Sequence, residues 1–486
     1  MASELNSAKI LFNELSGIEN ILLASFEKFR QTNGDSSMKA FVDVLVVSNM
    51  RYLYDSYPVA ENILLNYKKK EDVIDLVHQK FSEDKQQIKN SFFDYGFVPN
   101  ITNVNAGAGD YHKGLSTAIL HLDHEKIVFK PTSAGVSKSF FFLLNWIEKY
   151  YDLGDCSYKI IDKDSYHWLS FVNPTDHETK DEISLYYERA GFMLGILYIT
   201  NASDFHYENV IAKKNTPVLI DHETIVQPKI NKNFLKFFKS FLNKEIEDSV
   251  VSTMLLPNHK EETMPVGTCG YGYHKQKSRQ VLKKEFIDRY NDNWRSVTRF
   301  AEESFKKENI PTLKGVSVYP ISHLKELLSG FEKSYNLFKD KKSFLVSGKT
   351  SPILTFENKT IRFIWRATNV YAKILKQMEL PKNLKSIKNY EQKIKDYLFV
   401  AFKNVPEDSE LMKIYHHEVA HMLKGDIPFF EVNTSSKDLI TDFGVIKNFF
   451  ELNCLDNFKR KINKLSNQDL KYQKQIIINS YQKDAV

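Results

Sequence analysis

Asp204 and Asn209 stand five residues apart in SDFHYENVIAKKNTPVLIDHET, residues 203–224. That D-x-x-x-x-N spacing is the one a phosphoryl-transfer catalytic loop uses. The aspartate accepts or orients a hydroxyl proton, and the asparagine folds back from the same loop to hold magnesium. Asp221 follows twelve residues after Asn209, at the end of the apolar run Pro217-Val218-Leu219-Ile220. A carboxylate ending a buried strand suits the second metal contact. Upstream, the glycine-rich stretch NAGAGDYHKG, residues 105–114, would let backbone N–H groups approach phosphates, and Lys130 in KIVFKP would neutralise them. Each residue also has a plain structural reading: Asp204 as a helix cap, Asn209 as a turn former, His206 as a satisfied loop histidine, Lys130 as a solvated surface lysine. Those readings explain the residues singly. The ordered set of glycine turn, strand lysine, D-x-x-x-x-N and strand-end aspartate points to a nucleotide-dependent phosphotransferase.

A second motif competes. His417-Glu418-Val419-Ala420-His421 matches the H-E-x-x-H pattern of zinc proteases. That chemistry needs both histidines one turn apart on a helix, a third ligand downstream and the glutamate as base. Residues 413–423 are expected to be helical, but residues 422–486 contain no histidine. A carboxylate such as Glu431 or Glu451 would have to serve instead, and the segment runs directly into Gly425-Asp426-Ile427-Pro428-Phe429-Phe430. The expectation is that His417 and His421 are neighbours through helical period rather than ligation.

The elements that must position these residues follow from composition and periodicity. A chain of 486 residues with 42% hydrophobic and 26% charged residues is expected to fold into two or three packed subdomains. The +6 net charge, from 67 basic and 61 acidic residues, does not argue for nucleic acid. Cys156, Cys269 and Cys454 form no C-x-x-C, so neither a disulfide framework nor a cysteine zinc site is expected. With no signal-like N-terminus and no membrane-length apolar run, the expected location is the cytoplasm.

Residues 6–100 read as helices, beginning with Ile10, Leu11, Leu15, Ile18, Ile21 and Leu22 at helical spacing. Strand-like runs follow at 118–122, 127–130 and 167–172, with a helix at 140–151. A long helix over 183–200 would place Ile183, Tyr187, Ala190, Leu194 and Leu197 on one face. Beyond 230 helices are expected to dominate, with a loop-rich interval at 257–272. The fold class is α+β, an α+β segment between mostly helical flanks.

DFHYENVIA followed by PVLIDHET closely resembles the dehydratase domain of class II lanthipeptide synthetases, the LanM family. GDYH at 109–112, VFKPTS around Lys130, YYERAGFMLGILY, STMLLP at 252–257, RFIWRATNVYAKIL at 362–375 and GDIPFF at 425–430 agree with it. The resemblance runs from about residue 55 to about 440. It implies a lipid-kinase-like two-lobed kinase core with additional N-terminal and C-terminal helical regions. The boundaries would be an N-terminal helical region at 1–100, the kinase-like core at 101–230, and a mostly helical C-terminal lobe at 231–486 with an activation-type segment and a phosphate-elimination motif.

It also implies that ATP and magnesium serve to phosphorylate serine and threonine of a leader-bearing precursor peptide. Phosphate is then eliminated to give dehydroalanine and dehydrobutyrine. By motif, Lys130 would contact ATP, with Asp110, His112 and Glu223 near the nucleotide. Asp204 and His206 would serve phosphoryl transfer, Asn209 and Asp221 would bind magnesium, and Arg362 and Thr368 would serve elimination. If 362–375 is helical, Arg362 and Arg366 lie i,i+4 on one face as a fork for an anion.

Three departures accompany the resemblance. His222 stands where the family usually has leucine, the glycine after GDYH comes one residue early, and no cyclase half follows. Ring formation is therefore expected to need a separate cyclase, with a transporter as a further partner. No zinc, no nucleic acid and no transmembrane segment are expected. The alternatives are a kinase acting on a peptide or small molecule without elimination, and a silent peptide-binding partner of a complete synthetase.

Overall fold

The computed structural model describes residues 18–34, 37–93, 99–238, 248–259, 268–274, 279–289, 291–303 and 307–482. The N-terminal helices are α1 (Glu19–Thr32), α2 (Met38–Val47), α3 (Arg51–Ser56) and α4 (Ala60–Phe92). Ile18, Ile21 and Leu22 are buried with Phe26, Phe41 and Leu53, while Ile10, Leu11 and Leu15 lie outside the described residues. Ser37 begins α2 by accepting from the Ala40 N–H.

An antiparallel sheet follows: β1 (Ile101–Ala106), β2 (Ala118–Leu122), β3 (Lys126–Lys130), β4 (Ile160–Asp162) and β5 (His167–Ser170), in the order β1-β2-β3-β5-β4. One face packs on α4, whose Val73, Val77, Phe81 and Ile88 meet Leu120, Ile127, Phe129 and Trp168. Strand alternation then decides the rest. With Ile127 and Phe129 buried against α4, Lys126, Val128 and Lys130 must face the opposite side. Asp84 of α4 fastens the two layers, accepting from Trp168 Nε1 at 2.8 Å and Tyr166 Oη at 2.9 Å.

Beyond α5 (Gly135–Ile147) runs α6 (Lys180–Thr200), started by a capping box between Thr179 and Glu182. The expected one-sided stripe understates this helix. Every residue from Arg189 to Thr200 is buried, the mark of a helix inside a core rather than on it. Helix α7 (Leu324–Asp340) lies against it at glycine crossings. A Cβ on Gly330 would come within 1.7 Å of the Glu188 carbonyl oxygen, and one on Gly191 within 1.9 Å of that of Leu327. Because backbone blocks the space, Gly330→Ala should destabilise the fold by about 3 kcal/mol or more, read as a lower urea midpoint. Helix α6 feeds the 203–209 loop, so the same change should also disturb the site.

The hairpin of β6 (Val210–Lys213) and β7 (Thr216–Leu219) pairs Val210 with Leu219. The residues flanking its open end are Asn209 and Ile220, and the Ile220 N–H donates to the Asn209 carbonyl at 3.1 Å. Eleven residues of sequence separation between Asn209 and Ile220 thus become adjacency.

The C-terminal half is less purely helical than periodicity suggested. Besides α8 (Thr368–Met378), α9 (Ile387–Phe399), α10 (Met412–Leu423), α11 (Cys454–Lys464) and α12 (Asn467–Gln482), it contains antiparallel strand pairs, three of them with three or more residues in each strand. Those three are β8 (Arg279–Ile287) with β9 (Arg295–Glu303), β10 (Thr360–Phe363) with β11 (Phe430–Asn433), and β12 (Leu439–Thr441) with β13 (Gly444–Ile446). Short strands joined across long sequence gaps, such as β10 and β11, leave no local periodic signal. Residues 260–267 of the expected loop-rich interval lie outside the described residues. The fold is α+β, and among the described residues no helix is long and apolar enough to cross a membrane.

Candidate active site

A cleft of about 850 Å³ opens between the free face of the sheet, the β6–β7 hairpin and the β10–β11 pair. Asp110, His112, Lys130, Asp204, His206, Asn209, Asp221, Glu223, Arg362 and Thr368 all line it. The sheet contributes Lys130 by strand alternation, and the β1–β2 connection contributes Asp110 and His112. In that connection Gly107 adopts φ +77°, a conformation glycine supplies at no steric cost, and its N–H donates to Ser116 Oγ at 3.0 Å.

The 203–209 loop is tied down from several sides. The Ser203 N–H donates to the Thr224 carbonyl, Thr224 Oγ1 returns a bond to the Ser203 carbonyl at 2.6 Å, and the Phe205 N–H donates to Thr253. Asp204 is a non-glycine residue at φ +67°, a strained backbone that such anchoring sustains. Asn209 Nδ2 donates to the Asp204 carbonyl at 2.8 Å, so the asparagine does fold back along its own loop. His206 Nδ1 accepts from the Glu208 N–H at 3.3 Å.

Opposed charges balance the cleft. Lys130 Nζ lies 3.1 Å from Asp221 Oδ1, and Arg362 Nη1 lies 2.8 Å from Glu223 Oε1. Burial alone would raise the Asp221 carboxyl, but Lys130 and then Arg362 outweigh it and hold that carboxyl below its ordinary range. Glu223 goes the other way, raised by burial and by the neighbouring Asp221 charge despite its arginine. Asp204 and Asp110 are also raised by burial, the latter while hydrogen-bonded to the Thr368 side chain. Burial, then Arg362, pushes His112 down to about 3, so it is neutral, with Nδ1 2.8 Å from the Ile427 carbonyl. The cleft therefore pairs ionised Asp221 with cations and keeps several carboxyls reluctant to ionise.

The chain matches the family described as Domain of unknown function (DUF4135) over residues 57–433. The chain belongs to the DUF4135 family. A relative from Lactococcus lactis subsp. lactis, lacticin 481/lactococcin biosynthesis protein LcnDR2, is 23% identical over 387 residues. That alignment covers 73% of this chain and 40% of the relative, so the chain spans about two fifths of the relative's length. Both matches agree with the LanM resemblance carried by DFHYENVIA and PVLIDHET.

One expectation fails within this DUF4135 chain. Arg362 and Arg366 do not form an i,i+4 fork, because Arg362 lies in strand β10, paired with Glu431, and α8 begins only at Thr368. The Arg362 N–H donates to the Glu223 carbonyl at 2.8 Å, fixing the strand end against the 221–224 turn. Arg366 turns into the core, bonding Glu418 Oε2 and the Leu398 carbonyl, each at 3.0 Å. Glu418 is fully buried and also accepts from Tyr371 Oη at 2.7 Å. It is therefore a structural counterion and not a hydrolytic base, which removes the protease reading.

His222 faces packing rather than a metal. It is enclosed by Phe140, Phe141 and Tyr158, its Nε2 lies 3.0 Å from the Leu219 carbonyl, and burial lowers it to about 3. The residue sequence reasoning missed is Phe429. It lines the cleft, takes the Arg362 guanidinium over its ring at 5.3 Å and meets His112 at 4.8 Å. GDIPFF was visible as a motif, but its docking is not local. The Gly114 N–H donates to Asp426 Oδ2 at 3.2 Å and the Ile427 N–H to the Tyr111 carbonyl at 2.9 Å, strapping the glycine-rich turn.

Proposed function

We propose that the chain is a lanthipeptide dehydratase, an ATP-dependent kinase and phosphate lyase acting on serine and threonine of a leader-bearing precursor peptide. The observation that carries this is the convergence of the ten residues, from widely separated segments, in one cleft with Lys130 paired to Asp221. The order of sheet, strand lysine, anchored loop and strand-end aspartate supports a two-lobed, lipid-kinase-like core.

The donor set fits magnesium and a nucleotide. Asp221 is held ionised and Asn209 brings an amide to the same hairpin mouth, an oxygen-bearing pair suited to a hard cation. Magnesium-bound ATP would supply the phosphoryl group and part of the charge that offsets it. Lys130 would bind phosphate oxygens, and the β1–β2 turn with Asp110 and His112 would cover them. Glu223 would orient the cation side of the site through Arg362. Asp204 would accept or orient the hydroxyl proton of the peptide, with His206 holding the hydroxyl beside it.

Elimination then breaks the Cβ–O bond. A base takes the α-proton, its electron pair forms the Cα=Cβ bond, and phosphate leaves. Arg362 on β10 and Thr368 at the N-terminus of α8 would hold the departing phosphate, since Ala367 offers that terminus no side-chain cap.

Incubating a leader-bearing precursor peptide with enzyme, ATP and magnesium should yield products lacking one water per modified residue by mass spectrometry. Persistent phosphopeptide from the unmutated enzyme would reduce the reading to a kinase, and an unchanged peptide mass would overturn it. A cytoplasmic location, and cooperation with cyclase and transporter activities, belong to the same proposal.

A further inference from the structure

The histidines of HEVAH have an unexpected partner. The potential ligand atoms of His417, His421 and Asp442 all lie within 4.8 Å of one another. Helical period brings the two rings on α10 to 4.2 Å between centroids, tilted by 39°, and the β12–β13 turn carries Asp442 onto them. His421 Nε2 is 3.0 Å from Asp442 Oδ2, and His417 Nδ1 is 3.6 Å from Asp442 Oδ1. Both histidines are buried, whereas the Asp442 side chain is 51% exposed.

The geometry points to a divalent transition-metal site of the zinc class on His417, His421 and Asp442, outside the cleft. His417 Nε2 lies 3.2 Å from the Phe429 carbonyl and, donating to it, leaves the Nδ1 lone pair aimed at Asp442. Donation of the second ring nitrogen to a carbonyl is the outer bond that orients metal-ligating histidines. That lone pair accepts from the Asp442 N–H at 3.1 Å, a bond the metal would replace.

The charges suit a dication. The two imidazoles are neutral ligands and Asp442 adds one negative charge, with Lys113 nearby and Asp426 on the His421 side. Two imidazoles and a carboxylate leave a fourth position to water through the exposed Asp442 side. Glu418 is engaged by Arg366, so the site has no base and its role is structural. It would join α10, the β12–β13 turn and, through the Phe429 carbonyl, the wall of the cleft. In the sequence, the further ligands on offer were cysteines, a third histidine, Glu431 and Glu451. Glu431 instead pairs with Lys113 at 3.3 Å and Glu451 with Lys229 at 3.8 Å.

Zinc chloride titrated into the full chain, with metal content measured after desalting, tests this. The expected result is one equivalent bound by the wild type, lost in His421→Ala and Asp442→Asn and kept in Asp221→Asn. Melting should rise by about 3–5 °C at a hundredfold excess over Kd. Cobalt(II) should give four-coordinate visible bands that Asp442→Asn abolishes. Because Asp442 is exposed, that variant should fold, as circular dichroism would verify. Equal zinc in wild type and Asp442→Asn, or loss in Asp221→Asn, overturns the site.

Discussion

Asp221→Asn should lower ATP-dependent phosphorylation of the precursor peptide by about 10³-fold. The substitution keeps the shape of the side chain but removes the ionised carboxylate that Lys130 holds at 3.1 Å. A hard cation loses its charged ligand and the lysine loses its partner together. Both sides of the pair are partly exposed, so the loss should fall on turnover more than on stability. Phosphopeptide formation measured with a melting curve on the same sample separates the two. A variant that phosphorylates normally would show that Asp221 is not the metal contact.

The same step has a pH signature. Asp204 is raised above the ordinary aspartate value of 3.8, with burial the largest cause. It must be ionised to take the hydroxyl proton. The sign is therefore fixed: as pH falls, the ionised form is lost through the raised value, earlier than for a free aspartate. The acid limb of the phosphorylation rate should accordingly lie above 3.8. A limb at or below that value would remove Asp204 from the proton transfer.

Arg362→Ala should uncouple the two half-reactions. Phosphorylation should persist while elimination falls by about 10²–10³-fold, so that phosphopeptide accumulates. Arg362 is buried, 2.8 Å from Glu223, and is the strong cation facing Thr368 and Asp110 across the cleft. The substitution also strands Glu223, whose carboxyl burial already raises, so it would take up a proton rather than remain a bare buried charge. Arg362→Lys keeps a charge but loses the planar fork, and should retain part of the elimination rate. Thr368→Ala should resemble Arg362→Ala in product, with a smaller loss. Wild-type water loss from Arg362→Ala would exclude this arginine from the elimination.

Much of the site was legible because its parts repeat local rules. Lys130 ends an alternating strand, so once Ile127 and Phe129 go to the core its side must face the cleft. Asp204 to Asn209 lie within one loop, where spacing alone brings the amide back to the Asp204 carbonyl. Asp221 ends an apolar run that could be read as a strand. Arg362 and Arg366 were misplaced for the complementary reason. Their i,i+4 spacing suits a helix, but Arg362 is recruited into a strand by Glu431, far along the chain, and Arg366 by Glu418. Local spacing cannot report a partner that only folding brings near.

The residue types, their order and the local elements that carry Lys130, Asp204, Asn209 and Asp221 were determined by the sequence itself, because strand period, hairpin pairing and loop spacing act over a few residues. Tertiary structure alone decided which distant groups meet: Glu223 with Arg362, Phe429 with His112, Glu418 with Arg366, and Asp442 with the two histidines. Those encounters fix ionisation and therefore chemistry. Burial and a charged neighbour a few ångströms away move a carboxyl or an imidazole more than anything its sequence neighbours supply. HEVAH shows both halves: its helix and the nearness of its two histidines were readable, but the fate of its glutamate and the aspartate beside its histidines were not.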